Sequence, residues 1–111
     1  MKNQENEIAA NKRLAELLGW SSIVEVGGAL VGTPPAGAAS SRGQAMVPDW
    51  MGDWAAAAPL LAQFEISPMF MSTYVGAGGI AEFYEVHGGD RDAAARCAIV
   101  KAATHRLERA R

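Results

Sequence analysis

Apolar residues recur at helical spacing in three stretches of the chain and at alternating spacing in two. In the first helical stretch, Ala10, Leu14, Leu17 and Leu18 fall at i, i+4, i+7 and i+8, one face of a helix over residues 5–18. Lys12, Arg13 and Glu16 lie off that face. Gly19 follows the last leucine, where a left-handed residue ends a helix at least cost, and Trp20 is placed to fold back on the leucines. The second helix starts at Asp49 or Asp53, either of which can cap it, and runs to about Phe64. Trp50 and Trp54 are four apart and share a face, and Leu60, Leu61 and Phe64 form the buried stripe. Pro59 is the misfit: it lacks an N–H and crowds the carbonyl four residues back, so a kink is predicted there. The third helix spans residues 91–109 behind Asp90 as its cap, with Val100, Ala103 and Leu107 as its stripe and Ala93 and Cys97 close by. Arg96 falls near that stripe, as an edge residue or as the partner of a carboxylate across a dimer interface.

Residues 21–26 are β-branched and partly alternating, Gly27-Gly28 is a turn signal, and residues 29–31 return as a second strand. Ser67-Pro68 ends the second helix. Residues 69–75 then read as a strand, 76–79 as a loop and 80–86 as the other arm of a hairpin. In that arm Ile80, Glu82 and Tyr84 alternate with Ala81, Phe83 and Glu85. Residues 33–47, with Pro34, Pro35, Ser40 and Ser41, suit neither a helix nor a central strand and are expected to form a long, irregular, mobile loop. The order is α-β-β-α-β-β-α within a single domain covering residues 1–111. Pairing the two hairpins gives one four-stranded, mainly antiparallel sheet with helices on both faces, an α+β fold of the three-layer α/β/α sandwich type.

Composition narrows the function. Half of the 111 residues are apolar and a fifth are charged, which excludes wholesale disorder. A net charge of −2 provides no global basic field for nucleic acid. From Arg91 onward there are six bases and two acids, net +4, but a solvated helix face accounts for that, and no aromatics interleave with the bases. No apolar run approaches the ~18 residues of a membrane span, and the polar, mixed-charge start lacks the form of a secretory signal. The single cysteine, Cys97, excludes an intramolecular disulfide and suits a reducing interior. The expectation is a soluble, cytoplasmic protein with no membrane or nucleic-acid partner.

Three strings carry a resemblance. They are Asn6-Glu7-Ile8 through Asn11-Lys12-Arg13-Leu14-Ala15-Glu16-Leu17-Leu18-Gly19-Trp20, the stretch from Asp53 to Ser67 containing Ala58-Pro59-Leu60-Leu61 and Ile66-Ser67, and Ala94-Ala95-Arg96-Cys97-Ala98-Ile99-Val100. In these the chain resembles the NinX-like phage and prophage proteins and the related phage ABA-sandwich domain. The first string is similar to the family's opening helix, with its Asn-Lys pair and Leu-Gly end. The second is similar to its Asp-Ala-Trp-Pro-Ile-Ile segment, which makes the proline a family feature. The third is similar to its last helix. Ala58 stands where the family has an aromatic residue, and residues 33–47 have no counterpart. The resemblance implies a three-layer fold and a phage or prophage origin, and it supplies no catalytic residues.

No chemical motif converges in the sequence. His87-Gly88-Gly89-Asp90 before a helix, with Arg91 beside it, can present N–H groups to an anion. Its spacing matches neither phosphate-binding fingerprint, and Asp90 and Asp92 would repel an anion there, so a turn and cap is the better reading. His87 and His105 are on separate elements without a metal-ligand spacing, so no metal is expected. A Cys97–His87 nucleophile pair stays open, but Cys97 beside an apolar stripe reads as inert core. Glu82 and Glu85, three apart on a strand, point to opposite faces and are no acid–base pair. Trp50, Met51, Trp54, Met69, Phe70 and Met71 form either core or an adaptable contact surface.

These observations predict a non-enzymatic phage accessory protein without a cofactor. It would bind a host or phage protein and pair as a homodimer. The alternative is a binder of a nucleotide-like ligand, with Trp50 or Trp54 stacking on it and Arg91 meeting its charge. Trp50, Trp54, His87, Arg91 and Arg96 are the candidate contact residues. A flat, exposed apolar patch favours the first reading, and a concave site holding tryptophan and Arg91 favours the second.

Overall fold

In the computed structural model, which describes residues 4–36 and 43–110, three helices and six short strands follow one another in an α+β arrangement. Helix α1 (Gln4–Leu17) buries Asn11, Leu14 and Ala15. It ends as the sequence predicts: Gly19 takes a φ of +106°, its N–H donates to the Glu16 carbonyl at 3.1 Å, and the Trp20 N–H donates to the Ala15 carbonyl at 3.0 Å. Those two bonds satisfy carbonyls the helix leaves over.

Strands β1 (Ser21–Val26) and β2 (Ala29–Thr33) form the predicted hairpin. Both turn residues, Gly27 and Gly28, have positive φ, as a two-residue turn that matches the strand twist requires. A short strand β3 (Ala45–Met46) adds to β2, with Val31 opposite Met46. It lies inside the span expected to be irregular, whose central residues, 37–42, fall outside the described residues. Strands β4 (Met69–Phe70), β5 (Tyr74–Ala77) and β6 (Ile80–Phe83) repeat the plan, with Gly78-Gly79 as the turn.

The expected single four-stranded sheet does not form. There are two three-stranded antiparallel sheets, β1-β2-β3 and β4-β5-β6. Each hairpin takes a two-residue local strand on its second edge instead of the other hairpin. The strand expected over residues 80–86 also stops early. Residues from Tyr84 to His87 coil into a 3₁₀ helix that Gly88 closes in the left-handed conformation.

Helix α2 (Trp54–Gln63) is capped by Asp53, whose carboxylate accepts from the Ala55 N–H at 3.0 Å. The helix continues through Pro59 without a break. Ala55 and Pro59 both face solvent, so water can reach the carbonyl that the proline leaves without a donor. Its far end is set by Glu65 at φ +54°, where the Ile66 N–H donates back to Leu61, and not by Pro68.

Helix α3 (Arg91–Arg109) starts at the predicted cap, where the Asp90 carboxylate accepts from the Ala93 N–H at 3.0 Å. From Ala93 to Val100 every residue is buried. A helix buried all round is a central element, not a covering layer. Its alanines let neighbours approach closely, and α1, α2, β5, β6 and the 3₁₀ helix all pack against it. Among the described residues no helix is long and apolar enough to cross a membrane.

Candidate functional site

Strand β6 carries its polarity the wrong way round. In a half-buried strand apolar side chains alternate inward and polar ones outward. Here Glu82 points inward and is only 8% exposed, while Phe83 points outward and is 54% exposed. The register extends the inversion across the sheet. Val75, Ala77, Ile80 and Glu82 form the face on α3, and Met69, Tyr74, Gly76, Ala81 and Phe83 form the outer face.

Among the described residues that outer face is apolar and uncovered. Met69 is 65% exposed, and the Tyr74 and Phe83 rings pack at 5.6 Å between centroids. Gly76 and Ala81 lie opposite one another and have almost no side chain, so a shallow groove of 410 Å³ runs past them, lined also by Met69, Met71 and Tyr74. Tyr84, at the start of the 3₁₀ helix, fixes one rim by donating its hydroxyl to the Met71 carbonyl at 2.7 Å.

The inward side of the same sheet holds a polar cluster. Glu82 Oε1 lies 2.8 Å from His87 Nε2, and Lys101 Nζ donates to Glu82 Oε2 at 2.6 Å. Three elements supply the groups: β6 gives Glu82, the 3₁₀ helix gives His87, and α3 gives Cys97 and Lys101, four apart on one face. Burial pushes the Glu82 carboxyl up, but hydrogen bonds from Lys101 and His87 outweigh it and hold the group below its usual value. The bond to Glu82 raises Lys101, against the opposing effect of burial. Burial, with the Glu82 charge next, pushes the Cys97 thiol up to about 12. Cys97 is therefore a neutral thiol at physiological pH, which leaves the Cys97–His87 pair without a thiolate nucleophile.

The residues singled out from sequence separate. Trp50 is 5% exposed and lies in the core, the packing role that is one of its two readings. Arg96 is likewise buried and structural: its Nε donates to the Met51 carbonyl at 2.9 Å and its guanidinium lies 5.9 Å from the Trp54 ring. Asn11 holds the same turn from the other side, accepting from the Met51 N–H at 3.1 Å and donating to Asp49 at 2.9 Å. Trp54 is half-buried against the core. Arg91 stacks over the Tyr84 ring at 4.7 Å, and His87 enters the polar cluster. The aromatic–methionine set divides too: Trp50 and Met51 are core, while Met69, Phe70 and Met71 are exposed.

Glu82 and Lys101 were missed as partners. One signal for Glu82 was present, because it alternates in phase with Ile80 and Tyr84, two large apolar residues that mark the buried side. Compared with known family models, curated proteins and solved structures, the chain matches none.

Proposed function

We propose that the protein is a non-enzymatic interaction protein whose contact surface is the outer face of β4-β5-β6. One observation carries this: β6 turns Phe83 to solvent and buries Glu82, so Met69, Tyr74 and Phe83 share the face that, among the described residues, no other element covers. Aromatic residues and methionine are enriched at protein interfaces, and covering a side chain such as phenylalanine is worth about 1.5–3 kcal/mol. The first sheet also exposes Val24, Val26 and Met46, but it has no aromatic among its strand residues and packs through β2 on α1. Pairing of two copies through the second sheet is the simplest use of the surface, since a two-fold contact matches each patch with itself. Reading the chain as a phage or prophage accessory protein in a bacterial cytoplasm rests on the sequence resemblance alone.

Light scattering and native mass spectrometry test the proposal. The chain is expected to form a dimer that Phe83→Lys and Met69→Lys dissociate. A photo-crosslinker at Phe83 should form adducts that one at Val26 does not. A monomer giving no adducts from Phe83 above those from Val26, alone or with host extract, overturns it.

A further inference from the structure

We infer that Glu82, His87 and Cys97 form a binding site for one thiophilic divalent cation of the zinc class. Carboxylate oxygen, imidazole nitrogen and cysteine sulfur lie within 4.8 Å of one another, all three on buried or half-buried side chains. A tetrahedral centre with bonds of about 2.0–2.3 Å sets its ligand atoms about 3.3–3.7 Å apart. Closing from a spacing of up to 4.8 Å brings the farthest pair together by about 1.1–1.5 Å, shared between two side chains, while the Glu82–His87 pair at 2.8 Å opens slightly. The donors select the metal. Sulfur and nitrogen disfavour magnesium and calcium, and a mixed oxygen–nitrogen–sulfur set is a borderline-soft one.

The surroundings complete the site. Lys101 holds Glu82 by Oε2 and leaves Oε1 facing His87, so the carboxylate is oriented from behind, as outer-shell partners orient metal ligands. A groove of 550 Å³ lined by Ile80, Glu82, Lys101, Thr104 and His105 opens on the Lys101 side of Glu82, and a tetrahedral centre held by three side chains keeps a fourth position for water. On binding, the His87 proton passes from Nε2 to Nδ1, the cation takes Oε1 and Nε2 in place of their mutual hydrogen bond, and the Cys97 thiol loses its proton to solvent as the Sγ–metal bond forms. The dication then balances the carboxylate and the thiolate. The inference departs from the expectation of no metal, which weighed spacing along the chain; the three ligands come from three elements. It is independent of the interaction surface on the opposite face of the sheet.

Cobalt(II) is the probe, titrated into the purified full chain after chelator treatment. One cobalt per chain is expected by native mass spectrometry, with an intense thiolate-to-cobalt charge-transfer absorption that zinc(II) abolishes by displacement and magnesium leaves unchanged. The melting temperature should rise with cobalt concentration. Cys97→Ser should lose the absorption, and His87→Ala should bind at least about tenfold more weakly, since losing a ligand exceeds the loss of an outer-shell partner. Wild-type chain with no thiolate absorption at excess cobalt overturns the inference, and that result does not depend on any variant folding. Stoichiometric binding unchanged in both variants overturns it as well.

Discussion

The sheets β1-β2-β3 and β4-β5-β6 are built alike, each a Gly-Gly hairpin whose central strand also pairs with a two-residue strand. They differ in what supports them. Strand β5 lies on α3 and buries Val75 and Ala77, whereas five of the six residues of β1 are exposed. Turn chemistry therefore decides that a hairpin forms, and the element beneath it decides what that hairpin contributes to stability. The largest test of this contrast is in the core. Ile99→Ala on α3 is expected to cost about 2–5 kcal/mol in urea unfolding, against less than about 0.5 kcal/mol for Val24→Ala on β1. Similar costs at the two sites would remove the distinction.

The next effect concerns the polar cluster beneath the second sheet. Glu82→Ala should cost about 1–3 kcal/mol at neutral pH by leaving Lys101 and His87 without their acceptor, while Glu25→Ala on β1 should cost nothing measurable. Because the folded protein holds Glu82 below its ordinary value, its contribution is complete above the usual carboxylate range. It is lost as pH falls through the lowered value. Lys101 is raised, so its share persists below the usual lysine range and fades as pH rises through the raised value. The gap between wild type and variant should accordingly close at both ends of a pH series of urea melts.

Smaller effects separate support from surface. Glu65 ends α2 at φ +54°, a conformation that costs a side-chain-bearing residue about 1–2 kcal/mol. Glu65→Gly should raise the thermal midpoint by an amount equivalent to about 1 kcal/mol. Phe83→Lys should change stability least, by less than about 0.5 kcal/mol, while abolishing self-association measured by light scattering. A large loss of stability there would mark Phe83 as part of the core.

Local signals in the sequence were largely sufficient for the elements. Asp53 and Asp90 as caps, Gly19 as a terminator and the two Gly-Gly turns all act in the structure as their chemistry predicts. What they could not specify was the pairing between distant segments. Whether a hairpin's free edge meets the other hairpin or a two-residue strand depends on where α3 sits. The alanines that make α3 central resemble, one at a time, those of any helix surface. The site was legible only in part. Met69, Phe70 and Met71 were singled out beside Trp50 and Met51, and nothing local separates the exposed trio from the buried pair. Glu82, His87 and Cys97 lie five and ten residues apart on three elements, a spacing that no single helix or strand brings together.

The two hairpin turns also differ in their freedom to diverge. Gly27 and Gly78 hold matching places, with φ of +58° and +56°. A Cβ at Gly27 meets nothing within 4 Å, whereas one at Gly78 comes within 2.8 Å of the Ala102 Cβ. Asparagine or aspartate tolerates the left-handed conformation, so Gly27 can drift among a few residues over generations. Gly78 and Ala102 cannot enlarge, singly or together, without lifting the turn off α3. In a library of random variants the first turn should accept change and the second should appear as a fixed glycine paired with a fixed alanine. The footprint of the central helix would then be written in a loop that, read alone, looks as permissive as its twin.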